Sequence, residues 1–181
     1  MQAFGPSQGL LIDLRYSKAN NLAGRPLYTR PVAMLQPEAH RCLTAAAVRA
    51  AAIGLCLKLF DAFRPLEAQE AFWAINPDPR YTANPWDGTA LHPRGVAVDV
   101  TLATPGGAEL DMGTGFDEAV PASHHDAADL PADAVRNRAL LLGIMIASGW
   151  EHIATEWWHY QLADAMAYPQ LRAADVPDGP M

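Results

Sequence analysis

The sequence predicts one α+β domain, and three stretches carry that prediction. Residues 95–102, Gly95-Val96-Ala97-Val98-Asp99-Val100-Thr101-Leu102, alternate with the two-residue period of a strand. Residues 37–54 and 131–148 instead space their apolar side chains by three and four, as helices do when one face lies against a sheet. With 181 residues, half of them hydrophobic, the chain has enough apolar surface for a single core without disulfides.

Taken in order, Leu10 to Tyr16 reads as a short strand with Tyr16 at its end, and Asn20-Asn21, Gly24 and Pro26 mark a turn-rich loop behind it. Pro37 opens a helix whose first turn carries Glu38 and whose stripe runs through Leu43, Ala47, Ala50 and Gly54. Leu55 to Phe63 reads as a buried strand running into Arg64-Pro65, and Leu66 to Ile75 as a shorter helix. Arg64 therefore stands at a strand-to-helix junction, where a side chain has left the ladder but is still held by it.

Asn76 to Thr89 is rich in Pro, Asn, Asp and Gly, and reads as a surface loop able to rim a cleft. In the strand that follows, Val96, Val98, Val100 and Leu102 share one face, while Ala97, Asp99 and Thr101 share the other. Asp99 thus points away from the valine face, among small residues that leave room beside it. Pro105-Gly106-Gly107 turns the chain into a loop holding Gly113-Thr114-Gly115-Phe116-Asp117-Glu118 and Ser123-His124-His125. A last long helix is expected over 131–148, with Asp129 as its cap, a stripe including Val135, Leu141, Leu142 and Met145, and Gly149 as its stop. Trp150 to Leu162 and a Pro/Asp-containing tail close the chain, with no repeat or linker to divide it into domains.

A net charge of −7 and the absence of any Lys/Arg-rich run argue against nucleic acid and anionic membrane as partners, and favour a small or neutral one. No apolar run approaches the roughly 20 residues of a membrane span, and Met1 to Pro6 has no basic start, so the expectation is a soluble, cytoplasmic protein. A trimmed signal peptide would leave the same pattern. Cys42 and Cys56 lie in apolar surroundings without zinc-site spacing and read as buried free thiols.

The stretch with the most chemistry is Glu156-Trp157-Trp158-His159, which sets a carboxylate three residues before an imidazole in apolar sequence. Burying two such groups is costly without a partner, and a metal ion would be one. His92 and Asp99, seven residues apart, supply further ligands, so two His and a carboxylate are available with a second carboxylate left over. Each also has an ordinary reading: a lone buried His is usually a satisfied core residue, and a strand Asp is often a solvent group. Geometry adds a condition. Residues seven or three apart on a regular strand face opposite ways, so His92 must precede the Asp99 strand in a turn, and the chain must bend between Glu156 and His159.

His92-x-x-Gly95-x-Ala97-x-Asp99 followed by Glu156-x-Trp158-His159 resembles the zinc D-alanyl-D-alanine dipeptidases of the VanX type, within the wider group of zinc D,D-peptidases and hedgehog-like domains. The resemblance extends through Asp61-Ala62-Phe63-Arg64-Pro65, Met112 to Asp117, Ser123-His124-His125, Asn137-Arg138 and Ser148-Gly149-Trp150, in the same order. It implies helices packed on a central, mainly antiparallel sheet, and one zinc per chain bound by His92, Asp99 and His159. It further implies Glu156 as general base, Arg64 as the group that stabilises the oxyanion, Asp117 as the carboxylate that holds the substrate ammonium, and Tyr16 as its helper. The implied substrate is a small D,D-dipeptide from cell-wall metabolism. Antibiotic resistance, recycling and use of D-alanine as a nutrient all fit that chemistry.

Two departures bear on substrate choice. Ala90 stands where the family commonly has Ser, two positions before the first ligand, and the Asn76–Thr89 loop is short and Pro-rich for the type. Two rival readings use the same metal site: a D,D- or L,D-carboxypeptidase for longer cell-wall peptides, and a non-catalytic zinc-binding domain of the hedgehog-like kind. Arg64 keeps the ordinary alternative of a surface ion pair with Glu67 or Asp61. His124 and His125 read as supporting rather than ligating residues, His40 and His152 as surface residues, and Trp157 and Trp158 as packing in the core and cleft wall.

Overall fold

A computed structural model describes residues 1–181. Its central sheet has the strand order β2 (Leu10–Ile12), β4 (Cys56–Asp61), β5 (Ala97–Ala103), β7 (His159–Gln161) and β6 (Glu151–His152). β2 runs parallel to β4, and the pairings β4–β5, β5–β7 and β7–β6 are antiparallel. A separate two-stranded ribbon joins β1 (Gln2–Phe4) to β3 (Ala33–Leu35). Three helices complete the α+β fold: α1 (Pro37–Ala52), α2 (Leu66–Ile75) and α3 (Ala132–Ile146).

Strand β5 is the axis of the molecule, and all seven of its residues are buried. Its valine face joins a core cluster with Leu43, Ala46, Ala47 and Ala50 of α1 and with Leu141, Ile144 and Met145 of α3. Alanines along α1 let that helix approach the sheet closely, and burying each large apolar side chain there contributes about 1.5–3 kcal/mol. The opposite face carries Asp99 and Thr101, also buried, so something other than α1 and α3 must cover and satisfy them. That face is where the polar site is built.

Three local expectations are corrected. The first strand ends at Ile12, and Tyr16 lies in a 3-10 turn, Arg15–Ser17, whose Tyr16 carbonyl accepts the N–H groups of Leu27 and Tyr28. Asp129 does not cap α3: it has a φ of +64°, and Pro131 occupies the cap position with no side-chain cap. The inward stripe of α3 is Ala134, Asn137, Arg138, Leu141, Ile144 and Met145, whereas Val135 is 51% exposed. The helix is rotated so that Asn137 and Arg138 reach the loop carbonyls beside it, Asn137 donating to Asp111 and Arg138 to Met112. Cys42 and Cys56 are buried free thiols.

Candidate active site

A bulge in the β4–β5 ladder, between Leu59 and Asp61, shifts the register so that Asp61 pairs with Asp99; on the other side Asp99 pairs with His159 of β7. Cross-strand partners project to the same face, so one polar row crosses three strands. His92 enters from the 3-10 turn His92–Arg94, and Gly95, with a φ of +68°, releases the chain from that turn into β5. Between Glu156 and His159 the chain makes the required bend: the His159 N–H lies 3.4 Å from the Glu156 carbonyl, and the ladder resumes at Trp158, whose carbonyl accepts the N–H of Val100. Both geometric conditions set by the spacing are therefore met.

His92 Nε2, His159 Nδ1 and Asp99 Oδ1 form a near-equilateral triangle with edges of 3.2, 3.2 and 3.3 Å. His92 Nδ1 lies 2.7 Å from the Ala62 carbonyl, so it carries the proton and leaves the Nε2 lone pair directed into the triangle. Three electron-rich atoms this close repel one another without a cation between them. Donors bound tetrahedrally at about 2.0–2.1 Å would stand about 3.3 Å apart, so the residues fit a metal with an open fourth position. Burial disfavours the Asp99 charge, yet His92 and His159 hold its carboxyl far below the usual carboxylate range.

Arg64 is buried, not a surface residue, and Glu67 bonds elsewhere, to the N–H of Ala173. Its Nε donates to Asp61 at 2.8 Å, Nη1 to the Gln69 amide oxygen at 3.0 Å, and Nη2 to Asp99 at 3.3 Å. The guanidinium also sits 4.8 Å from the ring centre of Tyr16 and 4.7 Å from that of Phe72, which fixes its plane. The Tyr28 hydroxyl donates to Asp61 at 2.6 Å.

Tyr16 also donates to Asp117, 3.0 Å from each carboxylate oxygen. Asp117 takes a left-handed φ of +62°, which Asp tolerates better than most residues. Burial, with the nearby Asp99 charge, pushes its carboxyl up to about 7. Burial, with the charges of Asp99 and Asp117, pushes Glu156 up to about 8. Tyr16, Arg64, His92, Asp99, Asp117, Glu156 and His159 all line one cavity of about 300 Å³, so the structure brings every predicted site residue together. Trp158 forms part of its wall, and the Asn76–Thr89 loop supplies much of its rim. Thr89 and Leu91 face the cavity, whereas Ala90 between them is buried outside its lining.

The sequence model of the Peptidase M15 family, described as D-ala-D-ala dipeptidase, matches residues 6–177. The chain belongs to this family. It is 40% identical to the D-alanyl-D-alanine dipeptidase of Escherichia coli K12 over 162 residues, covering 90% of this chain and 83% of that protein. It is 34% identical to the D-alanyl-D-alanine dipeptidase of Streptomyces coelicolor and 31% identical to that of Enterococcus faecalis V583, each over 86% of this chain and 87% of the relative. Peptidase M15 enzymes are metal-dependent, and His92, Asp99 and His159 are the residues here that fit a metal.

Several residues around this Peptidase M15 site escaped sequence reasoning. Asp61 stood in the matching Asp61–Pro65 segment and as a possible ion-pair partner of Arg64, but no local pattern announces the bulge that sets it opposite Asp99. Tyr28 and Gln69 carry no motif at all. Arg138, met in the sequence only within the matching Asn137-Arg138 pair, donates to the carbonyls of Met112, Ala122 and His124, holding the loop that contains Asp117. His124 and His125 lie outside the cavity lining; the His125 ring packs 4.7 Å from that of His152.

Proposed function

We propose that this protein hydrolyses D-alanyl-D-alanine or a closely similar D,D-dipeptide, using zinc. The observation that carries the reading is the meeting of three candidate metal ligands, the further carboxyl of Glu156 and the Tyr16–Asp117 pair in one cavity of about 300 Å³. Zinc held by His92, Asp99 and His159 would supply Lewis acidity to the attacking water and the peptide carbonyl. Glu156 takes the proton from that water and returns it to the amine of the departing residue. Arg64 keeps two N–H groups beyond those given to Asp61, Gln69 and Asp99, and offers them to the oxygen that gains charge. Asp117, oriented by Tyr16, receives the free ammonium of the substrate.

The names of the relatives support the same activity. A carboxypeptidase for longer peptides would have to place uncharged chain against Asp117, whose buried carboxylate then lacks a counter-charge. Glu156→Ala is expected to retain zinc and lose about 10²-fold or more in kcat on D-alanyl-D-alanine. Unchanged turnover would overturn the mechanism, and faster cleavage of a D,D-pentapeptide than of the dipeptide would favour the carboxypeptidase.

A further inference from the structure

A dipeptide is a zwitterion, and the cavity described above accounts for only one of its ends. Asp87, Asp99, Asp117 and Glu156 line it as carboxyl groups, and the guanidinium of Arg64 is divided among Asp61, Gln69 and Asp99. A metal at His92, Asp99 and His159 would be engaged by the water and the peptide carbonyl, so a substrate carboxylate entering this surround needs a further cation. Arg80, on the Asn76–Thr89 loop, also lines the cavity, and its side chain is 73% exposed.

Its position is organised. Asp78 accepts from Arg80 Nε at 3.0 Å and from Nη2 at 2.6 Å, and the guanidinium carbon lies 5.5 Å from the Tyr81 ring centre. Nη1 makes no hydrogen bond to the protein, so one edge of the planar donor group remains available. The loop is in turn tied to the reacting centre: Gln69 accepts from Arg64 through Oε1 and donates through Nε2 to the Ala83 carbonyl at 2.8 Å.

We propose that Arg80 binds the C-terminal carboxylate of the dipeptide and makes the enzyme select substrates with a free C-terminus. This rests on the dipeptidase reading, and deepens it by assigning the second end of the substrate. Arg80 acts on affinity, not on bond breaking, because it lies on the loop that rims the cavity and Arg64 already stands beside the metal ligands.

The test compares D-alanyl-D-alanine with D-alanyl-D-alanine amide for the zinc-loaded parent, Arg80→Gln and Arg80→Lys. The parent is expected to prefer the free acid about tenfold or more in kcat/KM. Arg80→Gln should raise KM for the acid about tenfold, leave kcat within about twofold and shrink the preference to about threefold or less, with Arg80→Lys between. A parent that cleaves acid and amide equally well, or an Arg80→Gln variant that keeps the full preference, overturns the assignment while leaving the dipeptidase reading intact. A parent that cleaves neither compound overturns both.

Discussion

Asp61 and Asp99 face each other across the β4–β5 ladder, two buried carboxylates in register, with Arg64 donating to both. Like charges directly opposite each other destabilise a sheet, so the pair persists because the guanidinium neutralises it. The arrangement makes Asp61 the residue that orients the arginine, and it also lies 3.5 Å from His92 Nδ1, whose proton goes to the Ala62 carbonyl. Asp61→Asn keeps the shape and removes the charge. It is expected to lower kcat about 10–100-fold and weaken zinc binding by up to a similar factor, as losses around metal ligands do. Steady-state kinetics and chelator competition measure the two effects, and wild-type values for both would refute the orienting role.

Asp117 and Tyr16 make a second pair with a separable task. Removing the Tyr16 hydroxyl leaves Asp117 buried with one fewer donor, and removing the Asp117 charge leaves the substrate ammonium without a partner. Tyr16→Phe is expected to raise KM about five- to tenfold with kcat within about threefold, and Asp117→Asn to raise KM about 10²-fold. N-acetyl-D-alanyl-D-alanine supplies the check: the parent should reject it strongly, and Asp117→Asn should treat acetylated and free dipeptides nearly alike.

Much of this site was legible because its ligands carry local signatures. The alternation through Val96 to Leu102 aimed Asp99 away from the core, Pro93 and Gly95 marked the turn that holds His92, and the three-residue spacing of Glu156 and His159 demanded a bend that the chain makes. What stayed hidden depends on long-range register. Asp61 meets Asp99 only because of a bulge, and Tyr28 meets Asp61 across 33 positions of sequence, so neither is encoded in any short window. The rotation of α3 was misread for a related reason: its periodicity allowed Val135 inward, and the carbonyls that draw Asn137 and Arg138 inward belong to a loop 26 residues earlier.

The site's acids leave a mark on the stability of the metal-free protein. Burial and the Asp99 and Asp117 charges raise Glu156 to about 8, and burial with Asp99 raises Asp117 to about 7, from ordinary values of 4.5 and 3.8. At these two carboxyls the folded chain therefore keeps protons that the unfolded chain has released, so the stability they contribute is greatest below the ordinary values and is lost as pH rises through the raised ones. His125 works in the other direction, because burial and His152 lower it from 6.5 to about 4, so it adds stability as pH rises through that interval. Above about pH 6.5 only the carboxyls remain. Urea unfolding with chelator present is expected to show a loss of about 1–2 kcal/mol between about pH 6.5 and 8.5, mostly removed in Glu156→Gln. A flat or rising profile in that window contradicts the buried, uncompensated Glu156.

Arg138 joins the segments that carry Asp117 and Glu156. From α3 it donates to the carbonyls of Met112, Ala122 and His124, and its guanidinium lies 5.9 Å from the Trp157 ring centre. Trp157 Nε1 donates to Thr114 Oγ1, and the Trp157 N–H to the Ser123 carbonyl, so the loop bearing Asp117 and the turn bearing Glu156 share one support. Arg138→Met fills the space but leaves those carbonyls without donors, at about 1–3 kcal/mol for a buried group. The expected result is a Tm lower by several degrees together with a KM raised about tenfold, both partly restored by Arg138→Lys, which replaces the charge but not the fork of donors. Loss of stability with unchanged KM would show that Arg138 supports the fold without placing Asp117.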